Sequence, residues 1–227
     1  MAGGPALLTP DGEESAIRKS PVHGPVEVTV LGLAGDAHVY HRHGGPEKAI
    51  LHYAAEHYSS YRARFDRFVA DINAPRRGFG ENISTHGMSE ETVCVGDRYQ
   101  VSSPDRDGSV VLEVTGFRQP CWKLGYNSGV RELPALMQDE GTPGWYYRVL
   151  QPGSIAAGDT FTLLDRPYPE WPVGRLARQF YGTPLARDFL EPARALPALA
   201  SNLRDVIDHR IETGTVEPWD RRLYGGR

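Results

Sequence analysis

Segments in which apolar and polar residues alternate are spread over the first 165 positions of the chain. Alternation with a period of two is typical of β-strands that bury one face. The pattern predicts strands at 26–31, 92–95, 98–101, 110–114 and 160–164. The segments 95–101 and 157–163 resemble each other, since both contain a Gly-Asp turn that leads into an alternating strand. We therefore predict a mainly β fold in which the same turn chemistry recurs around a barrel.

Apolar residues at helical spacing interrupt the predicted strands. An amphipathic stripe predicts a helix over 52–69, and a shorter helix is predicted over 130–140. The residues of the stripe are Tyr53, His57, Tyr61, Phe65 and Phe68. These helices are expected at the periphery of the barrel.

The pattern changes after Leu164, where a linker rich in proline occupies 166–172. Three helical patterns follow, at 173–181, 184–191 and 196–211. From Thr213 onward the hydrophobic period fades, which predicts a loose tail. We predict two domains, a β-barrel domain with peripheral helices over 1–166 and a small three-helix domain over 167–227.

Composition and charge exclude several classes of protein. No window approaches 18 consecutive apolar residues, and no Lys or Arg precedes Arg18. We therefore expect no membrane span and no secretory signal, and we expect a cytoplasmic protein. The formal net charge of −4 argues against a nucleic-acid binder that works through phosphate contacts. The two cysteines are too few for a disulfide scaffold or a cysteine-rich zinc site.

The densest polar cluster in the sequence is the segment 35–50. Gly44 and Gly45 let the backbone approach a ligand closely, and Pro46 suits the first turn of a following helix. Backbone N–H groups there, together with Lys48, could hold a phosphate or another anion. The alternative is a tight turn with a solvated lysine. His38, His41 and His43 could bind a metal, but their spacing fits a polar loop equally well.

Cys121 lies in a second cluster at the end of the strand predicted at 110–114. Arg118 and Lys123 are close in sequence, and nearby cations favour the thiolate that acts as a nucleophile or metal ligand. A structural cysteine in a Pro-bounded turn is the alternative. Cys94 falls inside a predicted strand and is interpreted as a packing residue. Glu81 lies in a glycine-punctuated segment, where it could bind a ligand or fix the loop.

Five segments occur in an order that resembles the MOSC domain, a family named for the C-terminal part of molybdenum-cofactor sulfurases. They are His-Gly-Gly-Pro-Glu-Lys-Ala at 43–49, Gly-Phe-Gly-Glu-Asn at 78–82, Val-Gly-Asp at 95–97, Arg-Gln-Pro-Cys-Trp-Lys-Leu at 118–124 and Gly-Trp-Tyr-Tyr-Arg at 144–148. The resemblance is greatest to the YiiM-type bacterial subgroup, which adds a small C-terminal three-helix domain. It covers roughly 15–225 of the chain.

The resemblance implies a MOSC-type β-barrel that binds the molybdenum cofactor, a molybdopterin dithiolene with a terminal phosphate. It implies that Cys121 is the metal ligand. The cofactor-binding residues that we predict are Gly44, Gly45, Lys48, Asn82, Arg118, Lys123 and Arg148. A thiolate suits molybdenum, and cations suit the anionic cofactor. Binding of pyridoxal phosphate is left open.

The implied activity is the reduction of N-hydroxylated compounds, including N-hydroxylated purine bases and amidoximes. Electrons would come from a separate redox protein, because the sequence lacks a flavin or nicotinamide fingerprint and a cysteine set for an iron–sulfur cluster. The candidate proton donors are Glu81, His43 and a water on the metal, and the sequence does not rank them.

Three other functions stay open at this level. Cys121 could carry a persulfide, the chain could be a non-catalytic module that binds the cofactor, or the barrel could bind nucleic acid.

The C-terminal helices have too few apolar positions for independent stability. We therefore expect them to pack against the barrel or against a second subunit in a homodimer, where they would shape the pocket entrance or dock the electron donor.

Overall fold

The structure is a computed structural model that describes residues 1–9, 12–39, 43–71 and 78–226. Its strands, in chain order, are β1 (Ala6–Leu7), β2 (Glu14–Ser15), β3 (Val26–Thr29), β4 (Gly32–Leu33), β5 (Ile50–Ala54), β6 (Ile83–Thr85), β7 (Arg98–Ser103), β8 (Arg106–Phe117), β9 (Trp145–Gln151), β10 (Gly153–Ile155) and β11 (Thr160–Asp165). Its helices are α1 (Glu56–Arg64), α2 (Trp122–Ser128), α3 (Leu133–Glu140), α4 (Val173–Gly182), α5 (Arg187–Arg194), α6 (Ser201–Thr213) and α7 (Asp220–Tyr224). A 3-10 turn spans Pro46–Lys48.

Six strands form a mixed sheet in the spatial order β11-β7-β8-β9-β5-β6. The pairing of β5 with β6 is parallel, and the other pairings in this sheet are antiparallel. The long strand β8 shifts register against β9 at Val111/Leu112 and at Val114/Gly116. Such bulges bend a strand, and here they accompany the curling of the sheet into a half-barrel. The predicted mainly β fold with peripheral helices is thus confirmed.

A large hydrophobic core joins the half-barrel to the C-terminal helices. Phe117, at the end of β8, packs edge-on against Phe180 and Tyr181 of α4, with ring centroids 5.2 and 5.6 Å apart. Gly116 has φ +140°, and a Cβ there would lie only 2.6 Å from Leu203 Cδ1 of α6. The expectation that the C-terminal helices pack against the barrel is confirmed by these contacts.

A second, aromatic core lies under β5 and the first three helices. Tyr58 stacks on Phe79 with ring centroids 4.6 Å apart, and Tyr53 meets the same Phe79 ring edge-on. Leu124 of α2 and Met137 of α3 are completely buried in this core. The core therefore fixes α2, the helix that directly follows Cys121.

Three predictions of secondary structure are wrong. The helix predicted at 52–69 is shorter, because 52–54 belongs to β5, all of whose residues are buried between β6 and β9. The strand predicted at 92–95 consists of turns with one isolated bridge between Cys94 and Pro172. The predicted loose tail contains α7, whose Leu223 is only 5% exposed. In each case tertiary packing overrides the local pattern.

The other predicted elements appear with shifted ends. The strands predicted at 98–101, 110–114 and 160–164 lie inside β7, β8 and β11. The strand predicted at 26–31 stops at Thr29, where a turn leads to Gly32. The C-terminal helices begin at Val173, Arg187 and Ser201. In the part of the chain that the structure describes, no helix is long and apolar enough to cross a membrane.

Candidate functional site

The glycine loop of the polar segment 35–50 has a backbone that requires glycine. Gly44 and Gly45 have φ values of +74° and +84°. A Cβ on Gly44 would lie 2.3 Å from His38 Cδ2, so the loop also packs tightly against that ring. The 3-10 turn begins directly afterwards with Pro46, as predicted, and Lys48 N donates to the Gly45 carbonyl at 3.0 Å. The loop therefore presents His43 and Lys48 on one short, constrained stretch of backbone.

Positively charged side chains from two separate segments, 35–50 and 118–124, act on His43. Partial burial, followed by the positive charges of Arg118, Lys48, His38 and Lys123, lowers the pKa of His43 to about 4. His43 still has an exposed side chain, so the charges reach it at a solvent-accessible position. With a pKa of about 4, the imidazole is uncharged at neutral pH. The structure thus brings four of the predicted site residues into one electropositive cluster.

Arg118 forms the buried side of this cluster. It follows β8 directly, its backbone N–H donates to the Gly144 carbonyl at 3.0 Å, and the residue is only 7% exposed. Its Nη1 has no hydrogen-bond partner among the described residues. An unsatisfied buried donor costs about 1–3 kcal/mol, and charged donors cost more. An anion bound at the cluster would satisfy this donor, so the residues present fit a phosphate-bearing ligand.

Cys121 lies three positions beyond Arg118 and immediately before α2. It is half-buried, its backbone is extended, and its carbonyl accepts the Leu124 N–H at 2.9 Å. Burial raises the pKa of Tyr146, Arg118 lowers it and Cys121 raises it again. Tyr146 of β9 therefore lies beside both residues. The sequence analysis missed this tyrosine, although it belongs to the predicted segment 144–148.

Cys94 has a different environment. It is 3% exposed, and its Sγ lies 3.6 Å from the Pro169 carbonyl. Burial is the largest of the causes that raise the pKa of its thiol. Cys94 thus packs inside the protein, as expected, and it is a suitable control for Cys121.

A buried ion pair lies beside the cation cluster and was missed by the sequence analysis. Lys19 is 4% exposed and pairs with Asp36. Asn82 donates from Nδ2 to Asp36 Oδ2 at 2.7 Å and accepts the Leu51 N–H at 2.9 Å. Burial lowers the pKa of Lys19, and the charge of Arg118 lowers it further, whereas Asp36 opposes the shift. All three lysines of the chain therefore belong to this region, and their rarity is the signal that could have indicated Lys19.

Glu81 is completely buried beneath the cluster. Its Oε1 accepts the Tyr58 hydroxyl at 2.7 Å, and its Oε2 accepts the Phe79 N–H at 2.7 Å. A Cβ on Gly78 would lie 2.9 Å from Oε1, so the segment closes tightly around the carboxylate. This arrangement fixes the loop and leaves the carboxylate enclosed by protein groups.

Lys123 and Arg148 differ in their relation to the cluster. Lys123 Nζ donates to the Glu14 carbonyl at 2.9 Å and pairs with Glu13 at 2.7 Å, and its charge acts on His43. Arg148 pairs with Glu47 at 3.0 Å and with Glu113 at 3.4 Å. These carboxylates occupy Arg148 in a network on the barrel surface. The structure does not bring Arg148 together with the cations around His43.

The three-histidine metal site is not supported by the residues that the structure describes. Within the described ranges, no group of three or more His, Cys, Asp or Glu side chains could hold a metal ion. His41 lies outside the described residues. The metal site that the resemblance implies has Cys121 as its single protein ligand, so it does not depend on such a group.

A groove of about 400 Å³ opens next to Trp122, the residue after Cys121. Its lining is aromatic and apolar with one cation, and includes Trp122, Tyr126, Arg131, Leu223 and Tyr224. Small-molecule sites typically have volumes of about 300–1,000 Å³. The groove is therefore large enough for a small planar molecule, although Cys121 itself is not among its lining residues.

The fold and these motifs together define a class. The MOSC domain matches residues 39–162 of this chain, more than half of its 227 residues. The chain belongs to the MOSC domain family. Within it the chain is a YiiM-type protein, as the comparisons with full-length relatives show.

Protein YiiM of Escherichia coli (strain K12) is 33% identical over 217 residues, which are 95% of this chain and 93% of that protein. The crystal structure of YiiM from Escherichia coli superposes with a TM-score of 0.75 at 31% identity and covers 90% of this chain and 93% of that one. A protein of Gibberella moniliformis (strain M3125 / FGSC 7600) named "Reductase" is 38% identical over 203 residues. That match covers 88% of this chain but only 34% of the longer fungal protein.

Proposed function

We propose that this chain is a molybdenum-cofactor-dependent reductase of N-hydroxylated compounds. The observation that carries the proposal is the buried Arg118 donor without a partner, in a cluster of cations three positions from a half-buried cysteine. An anionic ligand that also bears a soft metal fits both features. Membership of the MOSC family and the similarity to a protein named "Reductase" support the same activity.

The chain offers a complete set of groups for the cofactor. The Cys121 thiolate would hold the metal, since soft sulfur ligands suit molybdenum. Arg118, Lys48 and Lys123 would bind the phosphate, and the backbone at Gly44 allows it a close approach. Arg148 is left out of this set, because Glu47 and Glu113 already neutralise it. When bound, the cofactor would supply the two electrons that cleave the N–O bond of the substrate.

The protein itself must bind and orient the substrate and supply the proton for its reduction. We propose His43 as the proton donor, because it reaches solvent and because its pKa is lowered by burial and, in addition, by cations whose charge a bound anion would offset. Anion binding would raise the pKa of this imidazole from about 4 toward its ordinary value, so that a larger fraction carries a proton for transfer to the substrate. Glu81 is assigned a structural role, because both of its oxygens accept hydrogen bonds from protein groups.

Electrons must reach the site from another protein under this proposal. The chain has two cysteines in all, and one of them, Cys94, is buried in packing. A cysteine-ligated iron–sulfur cluster requires more thiolates than this. The proposed partner is therefore a separate redox protein, and the proposed substrate is a small molecule such as an N-hydroxylated purine base.

The proposal is tested with protein produced in two cultures of a host that makes the cofactor, one supplied with molybdate and one with tungstate. Reduction of an N-hydroxylated purine is measured with reduced methyl viologen as the electron source. The molybdenum-loaded protein should form the parent purine at a rate proportional to its metal content, and the tungsten-grown protein should not. Loaded protein without turnover would indicate a binding module. Equal turnover by metal-free protein would refute the role of molybdenum.

A further inference from the structure

Helix α7 contacts both chain neighbours of Cys121. The Arg222 guanidinium donates from Nη1 to the carbonyl of Pro120. Gly225, just beyond the helix, lies against the Trp122 ring, and a Cβ there would be 3.4 Å from the ring atoms. The cysteine therefore sits between two residues that the C-terminal segment holds in place.

Arg222 is itself fixed from two further sides. Its Nη2 donates to Gln138 Oε1 of α3 at 2.7 Å, and Gln138 is only 3% exposed. Its guanidinium carbon lies 5.3 Å from the centre of the Tyr181 ring of α4. Tyr181 in turn packs against Phe117, the last residue before the loop. A rigid framework of three helices thus directs the Arg222 donor at the loop.

The loop between β8 and α2 depends on this donor for its central part. The loop backbone is held at Arg118 by Gly144 and at Cys121 by Leu124. Pro120 has no N–H to donate, so its carbonyl is the group by which hydrogen bonding can fix it. Arg222 bonds to that carbonyl. Loss of the Arg222 side chain would free the residue that directly precedes the thiol.

We propose that Arg222 is a positioning residue for Cys121, which holds the thiol at the site through its hydrogen bond to the Pro120 carbonyl. Metal-binding side chains need positions accurate to about 0.5 Å, and groups behind the ligand supply this accuracy. The C-terminal helices therefore take part in building the site. This inference rests on the proposed function for the importance of Cys121, but the position of the thiol can be tested without the cofactor.

The test uses cofactor-free protein in a Cys94→Ser background, where Cys121 is the remaining thiol. The limiting rate of alkylation by iodoacetamide is measured at high pH, where the thiol is fully ionised, so that variants no longer differ in their ionised fraction. Arg222→Ala is compared with Arg221→Ala, the adjacent and exposed arginine of the same helix, and with Arg222→Lys, which keeps a donor. Molybdenum per chain is then measured for each variant made in a cofactor-producing host.

We expect Arg222→Ala to raise the limiting rate by about fivefold, the equilibrium factor for one hydrogen bond, and to lower the molybdenum content. Arg221→Ala should match the parent protein. Arg222→Lys, which keeps a donor, should have a rate and a molybdenum content close to those of the parent protein. Gln138→Leu, which removes an acceptor that orients Arg222, should raise the rate by a smaller factor. Unchanged rates in both Arg222→Ala and Gln138→Leu, or an equal change in Arg221→Ala, would overturn the inference. A parent protein without molybdenum would refute the proposed function, while the alkylation rates would still decide the role of Arg222.

Discussion

Lys19 and Asp36 form an ion pair whose side chains are only 5% and 3% exposed. Asp36 also accepts hydrogen bonds from Asn82 and from the backbone N–H of Gly3. Removing one partner of a buried pair leaves the other charge without compensation, which is strongly destabilising. The pair therefore links the N-terminal segment to the strand end at Asn82, beside the cation cluster.

The first prediction concerns the stability that this pair provides. Asp36→Ala should lower the free energy of unfolding by about 3–5 kcal/mol, because it leaves the Lys19 ammonium buried and unpaired. Urea unfolding measures this change. The control is Glu191→Ala, which removes an exposed pair with Arg187 and should cost less than about 1 kcal/mol. Similar losses of unfolding free energy in the two variants would show that the buried pair stabilises the protein no more than the exposed pair does.

The second prediction concerns the titration of His43. In the free protein its imidazole should titrate at about pH 4, as followed by NMR. Sulfate keeps its charge across this range, and its binding should raise the pKa of His43 and should strengthen as the pH falls. His52 is the control, because burial among protein groups holds its pKa at about 3, away from the cations. A His43 resonance that titrates near 6.5 and ignores sulfate would contradict the cation cluster.

The same shift has a consequence for stability. Between about pH 4 and pH 6.5 the unfolded chain binds a proton at His43 more tightly than the folded protein does. The contribution of His43 to stability should therefore increase with pH across this window. His43→Gln should remove that contribution, which a comparison of urea unfolding at pH 4.5 and pH 7 detects. An unchanged pH dependence would contradict the depressed pKa.

The third prediction concerns the glycine loop. Gly44→Ala and Gly87→Ala both place a Cβ at positive φ, which costs about 1–2 kcal/mol. Only at Gly44 does the added atom meet His38, since the space around Gly87 is open. Gly44→Ala should therefore lose at least as much stability as Gly87→Ala, and it alone should lose molybdopterin, as measured by pterin fluorescence after release from the folded protein. Equal pterin content in the two variants would show that the glycine loop does not contribute to cofactor binding.

The fourth prediction separates the two candidate proton donors. Glu81→Gln should destabilise the protein by about 1–3 kcal/mol, because buried hydrogen bonds to a charged group are weakened. Its turnover per bound molybdenum should stay near that of the parent protein. His43→Gln should instead lower turnover by about a hundredfold, the usual contribution of a general acid. If Glu81→Gln retains its metal but loses turnover, the assignment of the proton donor is reversed.

Four of the eleven strands that the structure describes, β3, β7, β8 and β11, and the C-terminal helices α4, α5 and α6 could be predicted because they carry their own hydrophobic period. Strand β8 and helix α4 are examples, since both match the predicted segments apart from their ends. Strand β5 was missed because its residues are buried on both faces, and a continuous buried strand has no alternation to detect. Helix α2 was missed because it is short and contains Gly125, which is required where the helix approaches the Arg131 carbonyl.

The candidate site shows a similar division. Cys121, Arg118 and Lys48 could be predicted from local motifs, because each lies in a segment of unusual composition. Arg222 could not be predicted, because its importance comes from its contact with Pro120, which is distant in sequence. The rarity of lysine could have indicated Lys19 but not its ion pair with Asp36. Arg148 was predicted to bind the cofactor because of the motif in which it lies. In the structure it forms an ion pair with Glu113, its neighbour on the adjacent strand.

The central claim is that Cys121 holds molybdenum. The most direct measurement is the molybdenum content per chain of the parent protein, Cys121→Ser and Cys94→Ser, each produced in the same cofactor-making host and analysed by mass spectrometry. The parent protein and Cys94→Ser should contain similar amounts of the metal, and Cys121→Ser should contain little while remaining folded. Equal molybdenum in Cys121→Ser and in the parent protein would contradict the claim.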